Sequence, residues 1–261
     1  MNLLYFFISI LATSVGGIAG IGGGIIIKPC LDTIGTYDVA TIGMLSSITV
    51  LCMAAVSSVR FLHSGIIVER RKAIVLSAGA AVGGVFGKYL FGEFSKWVAD
   101  ERAKGIQAVL LVILLVFVLL RNVYPHYKIM STIITFICGL AMGGISSFLG
   151  IGGGPINVAV ICIVFSVSVR DAAVYSIFTV FFSQLTTVIS NAITPGMASF
   201  DLTIVVFMIP GAIIGASLGS FLNRRLSEKA RFPLPEPCRY GLSVRKTAGR
   251  FLPVPQIPHS G

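Results

Sequence analysis

Charged side chains are scarce in this sequence. Asp, Glu, Lys and Arg make up 11% of the 261 residues, whereas an average soluble domain has about 25%. Hydrophobic residues account for 55%, so a soluble fold would have too few polar side chains to cover its surface. The composition excludes an ordinary soluble domain and predicts an all-α, multi-pass protein of the inner (plasma) membrane, with the lipid bilayer as its surroundings.

Acidic residues are the rarest charged group, and the formal net charge is +10. Residues 1–228 hold 14 Lys/Arg and 9 Asp/Glu, which gives +5, and residues 229–261 hold 6 Lys/Arg and 1 Glu, which gives the other +5. The positive charge is therefore spread over loops and a tail. It does not form the basic face that nucleic-acid binding requires, and no nucleic-acid partner is predicted.

The chain also lacks the residue groupings of metal and catalytic sites. None of the five Cys residues forms a C-x-x-C pair, and four of them lie in apolar segments, where they are interpreted as small buried side chains. No His, Cys and carboxylate cluster has metal-ligand spacing, so neither a metal nor a cofactor is predicted. No Ser/His or paired-carboxylate arrangement lies within the apolar spans, which argues against an enzyme.

Carboxylates are absent from the middle of the apolar spans. Those nearest to the spans lie close to their ends: Asp32, Asp38, Asp171 and Asp201. The sequence therefore offers no evident carrier for proton coupling.

Apolar segments, by contrast, are abundant. Five are long enough to cross a bilayer, which takes about 20 residues: 39–62, 73–92, 130–149, 171–193 and 202–222. The segment 105–120 is slightly short. Three more are too short to cross alone, and each borders a run of glycines: 3–15, 25–36 and 155–167. These three are predicted to be half-helices around a break. No Lys or Arg precedes the first, so it is interpreted as mature protein and not as a signal peptide.

The sequence repeats itself at an interval of about 130 residues. The run G-I-G-G-G at 20–24 recurs at 150–154, and the glycines Gly79, Gly83 and Gly87 recur as Gly211, Gly215 and Gly219. The expected organisation is a first transmembrane repeat over 1–121 and a second over 122–228, each starting with a Gly-broken pair of half-helices.

Lys and Arg in the loops predict that the two repeats are inverted. Loops 63–72, 121–129, 168–170 and 223–229 are placed in the cytoplasm by the positive-inside rule, whereas loop 194–201 has no Lys or Arg and is placed outside. Loop 93–104, which must then be outside, carries three basic residues and fits this assignment less well. Equivalent loops of the two halves thus lie on opposite sides.

The tail does not continue the repeat. An offset of 132 predicts a span at 237–252, but residues 229–261 contain six Lys/Arg and six of the 11 Pro. Such a segment cannot be a membrane helix. We expect it to lie outside the membrane, loosely extended, and the second repeat to lack its last helix.

The paired glycine runs are the candidate binding site. A broken helix exposes unpaired N–H groups and the positive end of its dipole, and Gly lets the backbone approach a ligand. Together these features favour a small anion. The candidate residues are Gly22, Gly23, Gly24, Lys28, Gly152, Gly153, Gly154 and Asn157. Pro155 suits the first position of the second half-helix.

Each of these features also has a simpler explanation. Lys28 either binds the anion or extends its ammonium to the outer interface near Asp32. The glycines spaced i, i+4 at 79–87 and 211–219 are expected to serve close helix packing. Hydroxyl groups cluster on 46–49 and 179–190, where they either line a polar path or bond between helices.

At the glycine runs the sequence resembles the TauE/SafE sulfite exporter family, also described as 4-toluene sulfonate uptake permeases. The doubled G-I-G-G-G motif carries the resemblance, which covers about 1–228; the first motif runs on through Pro29, and the second has Ala159 at that place. The resemblance implies transport of small sulfur-containing anions such as sulfite, sulfonates or sulfoacetate, by alternating access at the two breaks. The alternatives are an anion channel or a transporter of another small organic anion. The residues do not identify the exact substrate, direction, coupling ion or oligomeric state.

Overall fold

The computed structural model describes residues 2–20, 22–62, 69–119, 131–193 and 200–225. These residues form α-helices and no strands, which confirms the all-α prediction. The helices are α1 Asn2–Ala19, α2 Gly24–Ile34, α3 Val39–Leu62, α4 Arg70–Trp97, α5 Asp100–Leu119, α6 Thr132–Leu149, α7 Pro155–Phe165, α8 Val169–Ile193 and α9 Val205–Arg225. Residues 63–68, 121–129, 194–199 and the tail 229–261, for which the sequence made predictions, lie outside the described residues.

Within the described ranges, five helices are long and apolar enough to cross a membrane: α3, α4, α6, α8 and α9. They coincide with the five long spans predicted from the sequence, and the chain is a membrane protein. The short helices α2 and α7, with 11 residues each, also confirm the prediction of half-length segments.

Three helices are clearly longer than expected. Helix α4 covers Arg70–Trp97, where the predicted span was 73–92, and α1 and α5 are extended as well. Helix α1 extends to Ala19, and not to residue 15, so that Gly16 and Gly17 lie inside it. A Cβ atom at Gly17 would lie 3.3 Å from the Cα atom of Gly219 on α9, so glycine is used here for close packing. Helix α5 begins at Asp100, because Asp100 and Glu101 occupy its first turn, where carboxylates interact favourably with the helix dipole.

The repeated glycines pack in the same way in both halves. Cβ atoms at Gly79, Gly83 and Gly87 of α4 would meet the carbonyl oxygens of Phe136, Leu140 and Gly144 on α6 at 2.2, 2.1 and 2.1 Å. Cβ atoms at Gly211, Gly215 and Gly219 of α9 would lie 2.8, 2.5 and 2.5 Å from the carbonyl oxygens of Phe6, Ile10 and Ser14 on α1. Because the contacted residues are also 130 positions apart, the packing prediction for these glycines is confirmed.

The contacts between helices are also equivalent in the two halves. Helix α1 packs on α9 and α6 packs on α4; α3 packs on α9 and α8 packs on α4; α3 and α8 pack on each other. Helices α2 and α7 contact their own neighbours, α3 and α8, in the same manner. The two halves therefore interlock, and α3 and α8 occupy the centre, with Val50 and Val180 fully buried in one core.

Helix α5 packs on α7 and α3. The described residues end with α9, at Arg225, so any counterpart of α5, which would pack on α2 and α8, lies outside them. The two half-helices differ in exposure. The described side chains of α7 are buried or nearly so, whereas Pro29 and Thr33 of α2 are exposed.

Candidate functional site

The two glycine breaks lie against each other at the centre of the protein. A Cβ atom at Gly24 would lie 1.8 Å from the carbonyl oxygen of Ile151, and one at Gly22 would lie 3.3 Å from that of Gly152. Segments 130 residues apart in sequence are thus in backbone contact. No side chain larger than that of glycine fits at Gly24 unless the two breaks move apart.

Backbone conformation explains why the breaks require glycine. Gly20 and Gly22 have φ of +69° and +77°, and Gly150 and Gly152 have +63° and +64°, values that L-residues other than glycine rarely adopt. Gly150 ends α6, and its N–H and that of Ile151 donate to the carbonyl oxygens of Ser147 and Ser146. Helix α7 then begins at Pro155, as the sequence predicted.

The other candidate residues of the breaks are tightly packed. Cβ atoms at Gly152 and Gly153 would meet the side chains of Val50 and Val180 at 2.6 and 2.3 Å. The Asn157 amide nitrogen lies 3.0 Å from the Cβ position of Gly153, and Asn157 is buried. A Cβ atom at Gly23 would lie 3.1 Å from backbone atoms of α1. These positions hold the breaks together.

Lys28 is buried, with 4% of its surface exposed. Its ammonium donates hydrogen bonds of 2.5 Å to Gln107 Oε1 and to the carbonyl oxygen of Leu149. Gln107 Nε2 donates to the carbonyl oxygen of Phe148 at 2.8 Å. The ammonium therefore lies at the C-terminal end of α6, where the helix dipole favours a cation. It does not extend to the interface, as the alternative explanation of Lys28 expected.

A cavity of about 480 Å³ lies beside the breaks. Of the eight candidate site residues, Lys28 lines this cavity. Gly150, the first glycine of the second G-I-G-G-G run, lines it as well. The cavity is enclosed by the start of α3 and the ends of α4, α6 and α8, and its polar lining side chains are Lys28, Asp38, Ser47, Lys88, Ser95, Gln107, Ser147, Thr187 and Asn191. We call it the first cavity.

The first cavity contains more hydrogen-bond donors and positive charge than the sequence suggested. Lys88 adds a second ammonium, and of the described residues that line the cavity only Asp38 is a carboxylate. Asp38 Oδ2 accepts the backbone N–H groups of Ala40 and Thr41 at 3.1 Å and so caps α3. Sequence reasoning missed Lys88 and Gln107, although a Lys within an apolar span is itself a signal of function.

A second cavity, of about 370 Å³, adjoins the first. It lies between α2 and α5, and its polar lining side chains are Lys28, Asp32, Thr33, Lys104 and Gln107. Lys28 and Gln107 line both cavities and form the partition between them.

Two related contacts connect the halves at their helix ends. Arg60 Nη1 and Nη2 on α3 donate to the carbonyl oxygen and hydroxyl of Ser217 on α9, at 2.9 Å each. Lys88 Nζ on α4 donates to the carbonyl oxygen of Ser190 on α8 at 2.9 Å. Arg60 and Ser190 are 130 positions apart, and Lys88 and Ser217 are 129 apart, so the two contacts occupy equivalent places in the repeats.

The sequence is similar to membrane transporters. The family model described as "Sulfite exporter TauE/SafE" matches residues 5–233. A Bacillus subtilis (strain 168) protein named "Probable membrane transporter protein YunE" is 27% identical over 252 residues, covering 85% of this chain and 88% of the relative. "Sulfite exporter TauE/SafE family protein 5" of Arabidopsis thaliana is 34% identical over 100 residues, covering 38% of this chain and 21% of the relative. No solved structure matches.

Proposed function

Because the chain belongs to the sulfite exporter TauE/SafE family, a family of membrane transporters, we propose that it carries small sulfur-containing anions across the inner (plasma) membrane. Sulfite, sulfonates and sulfoacetate are the substrate class. The anion binds in the first cavity, next to the two glycine breaks, and crosses by alternating access.

The lining of the first cavity is the observation that supports this proposal. Lys28 and Lys88 provide two ammonium groups, and Ser47 and Asn191 provide a hydroxyl and an amide, whereas the Thr187 hydroxyl donates to the carbonyl oxygen of Ser183. An oxyanion has several acceptor oxygens and at least one negative charge, so it can use these donors together. Hydrogen bonds between charged partners are about twice as strong as neutral ones, and burial would strengthen them further.

The glycine breaks contribute to the site through their backbone. Gly150 borders the first cavity directly. The other candidate residues do not line the cavity but pack beside it: Gly22, Gly23, Gly24, Gly152, Gly153, Gly154 and Asn157. Close contacts among them and with their neighbours fix the end of α6 and the starts of α2 and α7. This packing sets the position of Lys28 in α2.

The paired contacts support alternating access with inverted repeats. Each contact between two helices of the set α1–α4 and α6–α9 has a matching contact between the equivalent helices of the other repeat. Such symmetry is found in transporters whose repeats rock against each other around a fixed site. With the positive-inside orientation, the first cavity faces the outside, because the start of α3 and the ends of α4 and α8 surround it. The Lys88–Ser190 contact then lies on the outer side and the Arg60–Ser217 contact on the inner side.

Transport assays separate a carrier from the alternatives. The full-length protein is reconstituted into liposomes loaded with sulfite or methanesulfonate, and uptake of labelled anion is measured. A carrier saturates and shows counterflow, so uptake is faster into liposomes that contain unlabelled anion. Flux that rises linearly with concentration and lacks counterflow would indicate a channel. Counterflow with carboxylates but not with sulfur anions would indicate another small organic anion.

A further inference from the structure

The carboxylate of Asp32 is incompletely satisfied in the second cavity. Its Oδ1 atom is buried and has no hydrogen-bond partner. Asp32 lies one turn after Lys28 on α2, and both line this cavity. A buried acceptor without a partner costs about 1–3 kcal/mol, so this oxygen favours a proton or a water molecule.

Some of the groups around Asp32 favour its ionised form, and others favour its neutral form. Asp32 lies in the last turn of α2, where the negative end of the helix dipole disfavours a carboxylate. Lys28 on the same helix and Lys104 on α5 favour the ionised form. The remaining helices packed on α2 add no charge there: the titratable residue of α1 is Tyr5, and α3 has only Cys52 before Arg60.

Lys28 connects this carboxylate to the anion site, because its ammonium lies in the partition between the cavities. An anion in the first cavity neutralises part of the charge that keeps Asp32 ionised. Resting on the proposed function, we propose that Asp32 is a proton-binding site coupled to the anion site through Lys28, so that one proton is bound together with the anion.

The direction of the coupling follows from charge. A hydronium ion in the water that enters the second cavity transfers its proton to the carboxylate: one O–H bond of hydronium breaks, the O–H bond of the neutral carboxyl group forms, and water is left. Because the bound anion favours the protonated form, protonation equally favours the bound anion. Anion affinity therefore falls as the pH rises through the range in which Asp32 titrates, by up to about tenfold per pH unit for one proton.

Asp32→Asn tests the proposal, because asparagine imitates the protonated form with nearly the same volume. Binding of methanesulfonate, which stays ionised throughout the pH range used, is measured with the purified full-length protein at several pH values. Proton uptake on binding is followed with a pH indicator in weak buffer. The pH range is kept low enough for Lys28 and Lys88 to stay protonated. In that range we expect the unaltered protein to take up about one proton per anion, and Asp32→Asn to bind the anion with no proton uptake and no pH dependence.

Asp201→Asn is the matched control. Hydrogen bonds from the hydroxyl and N–H of Thr203 lower the pKa of exposed Asp201, so this variant should keep the full proton uptake. If Asp32→Asn does not fold, Asp32→Ser removes the same carboxyl group. Anion binding without proton uptake by the unaltered protein, or uptake retained in both Asp32 variants, would overturn this inference alone. No anion binding by the unaltered protein would overturn the proposed function as well.

Discussion

The ammonium of Lys28 donates a hydrogen bond to the carbonyl oxygen of Leu149, although the two residues are 121 positions apart. This bond connects the half-helix after the first break to the helix that ends at the second. Gln107 joins the same group by accepting a hydrogen bond from Lys28 and donating one to Phe148. A single buried cation therefore links both repeats and α5 at the wall of the first cavity.

Lys28→Met is expected to weaken anion binding. The substitution removes the charge and keeps much of the volume, and a hydrogen bond to a charged group contributes about 1.5–3 kcal/mol. The dissociation constant, measured by titration calorimetry with methanesulfonate, should rise about tenfold or more. Lys72→Met serves as the control, because Lys72 pairs with Glu69 at the start of α4, and neither residue lines either cavity. Equal affinity in the two variants would argue against an anion site at Lys28.

Gln107→Leu is expected to act through Lys28. It removes the acceptor that holds the ammonium but leaves the charge, so the loss of affinity should be smaller than for Lys28→Met. In the double variant, Gln107→Leu should add little further loss, because residues that share one network are not additive. Independent, additive losses measured in this double-mutant cycle would show that Gln107 does not position Lys28.

Gly83→Ala is expected to destabilise the fold. The new Cβ atom would meet the Leu140 carbonyl oxygen at 2.1 Å, so α4 and α6 must separate, at a typical overpacking cost of about 1–3 kcal/mol. Gly92→Ala on the same helix is the control, because a Cβ atom there has no neighbour within 4 Å. It should be neutral or stabilising, since alanine favours helix by about 0.5–1 kcal/mol. Thermal unfolding in detergent compares the two, and equal melting temperatures would contradict the packing argument.

Gly23→Leu and Gly153→Leu are each expected to abolish transport while leaving expression intact. A side chain at Gly153 would collide with Val180 at 2.3 Å and would also require φ of +96°. A side chain at Gly23 would press against α1. Counterflow in liposomes measures the loss, with Ile25→Leu as a volume-conserving control in the first turn of α2. Normal counterflow in both glycine variants would remove the breaks from the mechanism.

Inverted repeats predict opposite exposure of two equivalent loops. Glu69→Cys and Asp201→Cys place one thiol each at exposed positions before α4 and α9, in a protein whose five cysteines have been replaced. A membrane-impermeant maleimide applied to intact cells should label Asp201→Cys, and Glu69→Cys should react only after permeabilisation. Labelling of both from the same side would show parallel repeats.

The chain's apolar segments and glycine pattern were sufficient to predict much of this fold. The five long spans, the two short helices after the breaks and Pro155 at the start of α7 were all apparent in the sequence. Such features are local: length, hydrophobicity and the φ angles open to glycine and proline act within one segment. The extension of α1 to Ala19 was missed because Gly16 and Gly17 looked like part of the break, whereas packing on α9 keeps them helical.

The sequence by itself determined that this is a membrane protein built of two related halves, because composition and repeat spacing do not depend on contacts. Only the tertiary structure decided which polar groups come together. Asp32 lies one turn after Lys28 on α2, but Lys88 and Gln107 lie on α4 and α5, and nothing in their local sequence relates them to Lys28. The packing of α4 against α8 and of α5 against α7 brings them to the cavities. A binding site formed across helices is a property of long-range packing, which local patterns do not encode.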